Sequence, residues 1–599
     1  MLARPIHRRL RGNKQTLAGV ALGTVAIVAS TLAAPTTAQS APDPACPPAY
    51  PIADLARDQL VHGLTVSAGT TPDPFTGKVL GVLNDGIAPG LDMILVRLTS
   101  PEIRRVGGIW AGMSGSPVYA DDGSLIGAVS YGLAFGPSRV AGVTPAADMQ
   151  ALLDNAPSSA TAQAALRKAE GADHVALPDR TADRIVDMGA ATTAEADAGL
   201  DRLPIPFGIS GMGSAKRMRQ AADALDLDGV RLYRTGAVSA DAPATQIVAG
   251  GNLGATVSYG DLTAGGVGTA TAVCGDEVIA WGHPLFWSGP TTLNMHGADA
   301  IYIQEDPTLF PFKVANLTGP VGTITDDRLA GLRGVIGDPP ESAEITSHAE
   351  STEGRSRDGT THVSLQDAVP EIGVFALLAN LDVVYDGIRG GSSRLRMTVE
   401  GERANGDLFE FSVVDRYASE SDITFETIFD SWERLYRVAQ NQFEDVTITD
   451  VSFRALLDQD YREYQISKLR LRKGGHWVTL ERRQRLSVNP GQLLRLRAVL
   501  SRVGETGRDR TVGLAVQVPR RTVGARGALE VRGGADVRSS LRAGSFPELL
   551  AKIQGAPRND EVLDYLSLRK DGRGIRSVGS TAFGDVVGGS FGVRLRVVR

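Results

Sequence analysis

Cysteine is nearly absent from this chain, which has only Cys46 and Cys274 among its 599 residues. Two isolated cysteines exclude a zinc site built from clustered thiolates. The sequence also lacks a His-Glu-x-x-His segment and a glycine-rich phosphate loop. It therefore predicts no metal and no cofactor. Whether the two cysteines bond to each other stays open, because a disulfide depends on a distance that the sequence does not give.

Long apolar segments are missing after the N-terminus. Residues 4–14 carry five cations and no acid, residues 18–32 are apolar and rich in alanine, and small residues occupy positions 38–41. This order is typical of a secretory signal peptide. We therefore predict a signal peptide over residues 1–41 and a secreted or envelope-associated protein with no transmembrane span after its removal. An uncleaved membrane anchor is the alternative, for which the apolar run is short.

Aromatic residues are also sparse, at 6 % of the chain, whereas glycine occurs 69 times. This balance favours many short strands and tight turns over long helices, and so predicts a mainly β fold. Apolar side chains repeat at three- and four-residue spacing over residues 425–438, which predicts one buried helix. The pattern divides the chain after its signal peptide into a β-rich unit (52–155), a linker (156–200), a second β-rich unit (202–345), a mixed α/β connecting region (346–445) and a β-sandwich-like C-terminal module (446–599).

Charge is distributed unevenly along the chain. From residue 461 onward there are 28 Lys and Arg against 12 Asp and Glu, a net charge of +16, whereas the whole chain carries −6. A basic module on an acidic body suggests contact with an anionic envelope polymer or with the body itself. The alternative is a solvated, arginine-rich β surface. No basic motif interleaved with aromatic residues is present, so the sequence does not predict nucleic-acid binding.

Residues 111–119 read AGMSGSPVY and carry the chemistry of the chain. This motif is similar to the loop in which chymotrypsin-like serine peptidases hold their nucleophile. Ser114 would be that nucleophile, and the amides of Gly112 and Ser114 would form an oxyanion hole. Strand-like segments flank the motif, whereas an α/β-hydrolase would place a helix after it. The alternative is a glycine- and serine-rich hairpin without chemistry.

A serine nucleophile needs a base, usually histidine. Among the eight histidines, His283 follows a strand-like segment and the glycine at position 282, an arrangement that can fix the orientation of the ring. A structural role for His283 is the open alternative. His62 is the second candidate base, and His296 is the third.

These segments resemble the SpoIVB-type sporulation peptidases, chymotrypsin-like serine enzymes that cleave another extracytoplasmic protein. Residues 107–119 match the family's Gly-Gly-Ile-x-x-Gly-Met-Ser-Gly-Ser-Pro, and residues 125–130 match its Leu-Ile-Gly-Ala-Val. Residues 268–271 and 280–283 are similar to its Gly-Thr-Leu-Thr and Ala-Leu-Gly-His, whose histidine is catalytic. The resemblance implies a double β-barrel, a catalytic pair of Ser114 and His283, and a protein substrate outside the cytoplasm.

The chain departs from the family in two ways. The serine segment precedes the histidine segment here, which is the reverse of the family's order and predicts a circularly permuted double barrel. In place of the family's Asp-Pro, the chain has Ser100 and Pro101. Asp92 is the nearest substitute acid that could orient the histidine. We therefore expect an exported serine endopeptidase, with a weakened or inactive peptidase-fold scaffold as the alternative.

Overall fold

The computed structural model describes residues 46–134, 136–155, 174–225, 231–239, 241–307, 310–504 and 509–598. The predicted signal peptide (1–41) and the first part of the predicted linker (156–173) lie outside the described residues. The described strands form four sheets, which confirms a mainly β architecture.

The first sheet contains a closed barrel. Its strands are β1 (Leu60–Thr65), β2 (Asp73–Ala88), β3 (Leu91–Thr99), β4 (Pro117–Tyr119), β5 (Leu125–Leu133), β6 (Val140–Pro145), β7 (His174–Val175) and β8 (Leu200–Arg202). Strands β1 to β6 pair in the order β4-β1-β2-β3-β6-β5, and the β4–β5 pairing closes them into a six-stranded antiparallel barrel. Apolar side chains such as Phe75, Val96 and Val129 fill its interior.

Four short helices accompany this barrel: α1 (Pro101–Arg105), α2 (Ala146–Gln150), α3 (Asp179–Asp187) and α4 (Thr193–Asp197). Helix α4 begins with a capping box, in which the side chains of Thr192 and Glu195 each accept a backbone amide of the other residue. The described part of the predicted linker thus has secondary structure, and its strands β7 and β8 extend the first sheet beyond β5.

The second sheet has thirteen strands. They are β9 (Pro206–Ile209), β10 (Arg231–Arg234), β11 (Asn252–Gly260), β12 (Ala264–Cys274), β13 (Glu277–Ala280), β14 (Gly289–Gln304), β15 (Phe312–Arg328), β16 (Gly331–Ile336), β17 (Ala343–Ser351), β18 (Ser356–Val363), β19 (Gly391–Arg403), β20 (Leu408–Ser419) and β21 (Val446–Asp458). Six of them pair antiparallel in the order β11-β12-β13-β16-β15-β14, and β14 returns to β11. These pairings form a second closed ring of six strands.

Three helices pack on the remainder of this sheet: α5 (Ala215–Ala224), α6 (Val369–Tyr385) and α7 (Ile423–Ala439). Contrary to the expectation from sequence that no long apolar segment follows the N-terminus, one helical segment among the described residues, Gln366–Tyr385, is long and apolar enough to span a membrane. However, 83 % of its apolar window is buried inside the protein. Helix α7 confirms the predicted helix over residues 425–438, and its Ile428, Leu435 and Val438 are buried.

The C-terminal module is a sandwich of two sheets. It contains helix α8 (Phe546–Gln554) and strands β22 (Glu463–Lys473), β23 (His476–Thr479), β24 (Arg485–Val488), β25 (Leu493–Arg502), β26 (Arg510–Gln517), β27 (Arg526–Gly533), β28 (Glu561–Lys570), β29 (Arg573–Ala582), β30 (Val586–Gly588) and β31 (Ser590–Val597). One sheet has the order β23-β22-β25-β26, with β30 paired to β22, and the other has the order β24-β31-β27-β28-β29. They enclose an apolar core of their own.

Two predicted boundaries shift in the structure. Strand β21 pairs with β17 and β19 of the second sheet, so the sandwich begins after Asp458 rather than at residue 446. The connecting region over residues 346–445 likewise continues the second sheet. Both shifts have the same cause: local alternation of apolar and polar residues marks a strand but does not identify its partner.

Candidate active site

The loop that carries Ser114 lies between the two rings of strands. Gly112 and Gly115 have φ angles of +96° and +92°, values that favour glycine. The carbonyl of Ser114 accepts the amide of Thr269 on β12 at 2.8 Å. A Cβ on Gly115 would lie 1.9 Å from the carbonyl oxygen of Thr269. Only glycine therefore permits this close contact between the loop and β12.

Two backbone amides of the same loop donate no hydrogen bond to any group in the described part of the chain. The amide of Met113 donates to the carbonyl of Trp110 at 3.0 Å. Among the hydrogen bonds of the described residues, none is donated by the amides of Gly112 or Ser114. Both amides remain available for an anionic oxygen, as the predicted oxyanion hole requires.

His283 follows a tight turn after β13. Trp281 and Gly282 both have positive φ angles, +69° and +70°. The carbonyl of Gly282 accepts a hydrogen bond from Thr144 Oγ1 of β6 at 2.6 Å, and Thr144 also contacts Ser130 Oγ at 2.7 Å. The first barrel therefore fixes the turn that carries the histidine of the second ring.

The structure brings Ser114 and His283 together. His283 Nε2 lies 2.8 Å from Ser114 Oγ, and Nδ1 lies 2.9 Å from the carbonyl oxygen of Pro284. Because a carbonyl oxygen can only accept, the proton of a neutral ring is on Nδ1. This leaves Nε2 free to accept the hydroxyl proton of Ser114, which is the tautomer that a general base needs.

Burial makes the neutral form of His283 stable. The ring is 0 % exposed. Burial, with a smaller effect of the Arg202 charge, lowers its pKa from 6.5 to about 3, against the opposing hydrogen bond to Pro284. His283 is therefore an unprotonated acceptor at neutral pH.

Asp327, a buried carboxylate at the end of β15, fixes the segment after His283. Its carboxylate accepts hydrogen bonds from the backbone amides of Leu285 at 2.8 Å and Phe286 at 2.7 Å. Burial raises the pKa of Asp327, and the amides of this segment oppose that shift. No local motif in the sequence links Asp327 to His283, so this contact was not predictable from residue order.

Asp92 does not orient the histidine, contrary to the expectation from sequence. Its Oδ1 accepts the amide of Asp85 at 2.9 Å, within the hairpin of β2 and β3. The Nδ1 atom of His283 faces Pro284 instead. Ser100 also has another role, since its hydroxyl caps helix α1 by accepting the amide of Ile103 at 3.0 Å.

The other candidate histidines take part in different contacts. His62 is exposed on β1 and stacks on Tyr119. His296 is buried in the second ring, between Thr256 Oγ1 at 3.0 Å and the carbonyl of Thr318 at 2.8 Å. Burial lowers the pKa of His296 to about 4. Neither of these histidines hydrogen-bonds to Ser114.

The segment that joins the two sheets lies beside the loops that carry Ser114 and His283. Ser114 is only 2 % exposed. A Cβ on Gly112 would lie 3.3 Å from Cγ of Pro206, and Arg202 Nη1 lies 3.4 Å from the carbonyl oxygen of Pro284. Residues 202–206 therefore lie against both sides of the site.

The described residues contain no group of three or more His, Cys, Asp or Glu side chains that could hold a metal ion. Comparisons with protein families, with curated proteins and with solved structures found no match to this chain.

Proposed function

We propose that this protein is an exported serine endopeptidase of the SpoIVB type, in which Ser114 is the nucleophile and His283 is the general base. The observation that carries the proposal is the distance of 2.8 Å between Ser114 Oγ and His283 Nε2. Hydrogen-bond contact between these two groups is the geometry that activates a serine hydroxyl. The proposed substrate is a protein outside the cytoplasm.

The arrangement of the rings supports a chymotrypsin-like double barrel in permuted order. Ser114 precedes β4 of the first closed barrel, and His283 follows β13 of the second ring. A cleft between two barrels can take one catalytic group from each, whichever barrel comes first in the chain. This is how a permuted chain would retain the site of the family that it resembles.

In the proposed reaction, Ser114 Oγ attacks the scissile carbonyl while its proton passes to His283 Nε2. The carbonyl oxygen then becomes an oxyanion, which the amides of Gly112 and Ser114 stabilise. The imidazolium returns the proton to the leaving amine, and water later releases the acyl group by the same route. The carbonyl oxygen of Pro284 accepts a hydrogen bond from Nδ1–H of His283 throughout and supplies a dipole where the family has a carboxylate.

A weakened or inactive scaffold is the second candidate function. Among the described residues, no carboxylate hydrogen-bonds to His283, so no negative charge in direct contact stabilises the imidazolium. Ser114 is also only 2 % exposed, so neighbouring residues must move before a peptide can reach it. In this second function, the protein binds a partner protein and cleaves it slowly or not at all.

A fluorophosphonate probe separates the two functions. We expect the probe to label Ser114, as located by mass spectrometry of the modified peptide. Ser114→Ala removes the oxygen that the probe modifies and should abolish labelling at this position, and His283→Ala should slow labelling of Ser114 by about four orders of magnitude. Ser116→Ala is the matched control, because Ser116 hydrogen-bonds to Thr65 instead. If Ser114 of the folded protein is not labelled, the result supports the scaffold function over the peptidase function.

Export is part of the proposal and rests on two observations. The N-terminal residues have the charge and hydropathy pattern of a signal peptide. Cys46 and Cys274 form a disulfide, with their Cα atoms 4.8 Å apart. Such bonds persist in oxidising compartments and are rare in the cytoplasm. Secretion of a tagged chain, followed by N-terminal sequencing, tests this directly.

A further inference from the structure

The outward surface of one sheet of the C-terminal sandwich carries six exposed arginines besides Arg532, which pairs with Glu530. They belong to strands β24, β27, β28, β29 and β31, and all six are exposed: Arg485, Arg526, Arg569, Arg576, Arg594 and Arg596. We call this surface the arginine face. It is independent of the proposed peptidase site.

Strand register places the arginines of this face in two rows. In the first row, Arg596 on β31 lies opposite Arg526 on β27, which lies opposite Arg569 on β28. In the second row, Arg485 lies beside Arg594, and Arg576 lies opposite Ser567. Neighbouring strands are about 4.8 Å apart, and the rows, two residues apart, are separated by about 7 Å. The two rows therefore form a grid of cations that is continuous across three strands in the first row and interrupted at Ala528 and Ser567 in the second.

No carboxylate neutralises this grid. Within the described part of the chain, none of the six arginines forms an ion pair. By contrast, Arg532 on the same sheet pairs with Glu530, and Arg510 of the facing sheet pairs with Asp585. Like charges directly opposite each other on a sheet are destabilising. An external anion with repeated charges would remove this repulsion, so the charge pattern fits a polyanion.

Three features of the arginine face favour an acidic polysaccharide over other polyanions. Its two rows contain no aromatic side chain, and Tyr565 in the adjoining row has the guanidinium of Arg532 over its ring rather than a free face for a nucleic-acid base. The two rows also contain no large apolar side chain, and the adjoining row adds one exposed valine, Val578, to a face that otherwise has no group to enter a lipid bilayer. A guanidinium group binds a carboxylate through two parallel hydrogen bonds. In a polyuronate each sugar carries one carboxylate, so the chain offers a series of such partners to a row of arginines.

We propose that the arginine face binds a linear, carboxylate-bearing polysaccharide along its rows. This identifies the surface through which the basic module would attach the protein to an anionic polymer of the cell envelope. The binding requires neither Ser114 nor His283.

Binding of the purified full chain to polygalacturonate at low ionic strength tests the proposal, with neutral dextran as the reference polymer. We expect wild type to bind polygalacturonate and not dextran, and salt to weaken the complex by screening. The triple variant R526Q/R569Q/R596Q, which removes the first row, should lose about tenfold or more in affinity, since each exposed charge pair contributes modestly.

The matched control is K468Q/R472Q/R495Q. It removes the same charge from exposed positions on the facing sheet of the same module. Its affinity should stay within about twofold of wild type if position on the grid matters more than net charge. Thermal melting of both variants checks folding, and loss of the first row should not lower the melting temperature, because it removes opposed charges.

Three results would overturn the proposal. Wild type could fail to bind polygalacturonate more tightly than dextran. The two triple variants could lose affinity equally, which would show that binding depends on the net charge of the protein and not on the arginine face. Duplex DNA or anionic phospholipid vesicles could bind the arginine face as tightly as polygalacturonate does, which would assign it to a different class of partner.

Discussion

Burial decides the protonation of the central side chains. His283 is completely enclosed, and its pKa is lowered to about 3, whereas that of an ordinary histidine is 6.5. A histidine whose folded-state pKa is depressed contributes stability that is present above its unfolded pKa and is lost as the pH falls toward the folded value. The window for His283 therefore extends downward from pH 6.5 to about pH 3.

This gives a prediction for the pH dependence of stability. Relative to His283→Gln, wild type should lose about 1.4 kcal/mol of unfolding free energy for each pH unit below 6. Urea unfolding at pH 7, 6 and 5, followed by tryptophan fluorescence, measures the difference. Burial also raises the pKa of Asp415 and Asp564 to about 6, and protonation of these carboxyls in the folded state increases stability as the pH falls. The comparison of wild type with His283→Gln is needed to separate the effect of His283 from this opposite effect.

Thr144→Val is the control for this prediction. It removes the hydrogen bond to the Gly282 carbonyl but has no titratable group. Its stability difference from wild type should therefore be constant over the same range. A constant difference for His283→Gln as well would show that His283 is not buried in its neutral form.

At the scale of elements, one short segment fixes the orientation of the histidine. Residues 281–288 join β13 to β14, and their backbone is bound from two sides. Thr144 of the first barrel binds the carbonyl of Gly282, and Asp327 at the end of β15 binds the amides of Leu285 and Phe286. A buried carboxylate thus acts on the backbone that positions the ring, without contact with the ring.

Asp327→Asn tests this positioning role. The asparagine amide nitrogen cannot accept, so one of the two buried amides loses its partner. We expect the free energy of unfolding to fall by about 1–3 kcal/mol. If the proposed nucleophile is active, fluorophosphonate labelling of Ser114 should also slow at temperatures where the variant remains folded.

Asp326→Asn is the matched control for Asp327→Asn. The Asp326 carboxylate is buried beside Asp327 but pairs with Arg328 and Arg333 instead. Asp326→Asn should reduce the free energy of unfolding without changing the rate at which Ser114 is labelled. Equal labelling rates for both variants would show that Asp327 does not help to position the histidine.

At the scale of the whole molecule, one disulfide ties the start of the described chain to the second ring. Cys46 lies before β1, and Cys274 ends β12, 228 residues later. A bond that closes so long a loop restricts the unfolded chain strongly. We expect Cys46→Ala/Cys274→Ala to lower the free energy of unfolding by about 2–5 kcal/mol.

Thermal melting with and without a reducing agent checks this expectation. The reducing agent should lower the melting temperature of wild type and leave that of the double variant unchanged. A wild-type melting temperature that does not respond, although mass spectrometry shows the bond reduced, would contradict the predicted stabilisation.

The sequence alone was sufficient for features that depend on local pattern. Sparse aromatic residues and abundant glycine predicted the mainly β fold, and apolar spacing predicted helix α7. The motifs around Ser114 and His283 selected the two residues whose side chains lie 2.8 Å apart. Such motifs are readable because glycine at positive φ and the reactive side chain must be close neighbours in the chain.

Tertiary structure decided what depends on distant segments. Asp92 failed as the orienting acid because the β2–β3 hairpin uses its carboxylate, and Asp327 was found only where β15 reaches the histidine segment. The placement of β21 and the Cys46–Cys274 bond likewise followed from contacts across the fold. Strand pairing, burial and proximity arise from the folded chain as a whole, and residue order does not fix them locally.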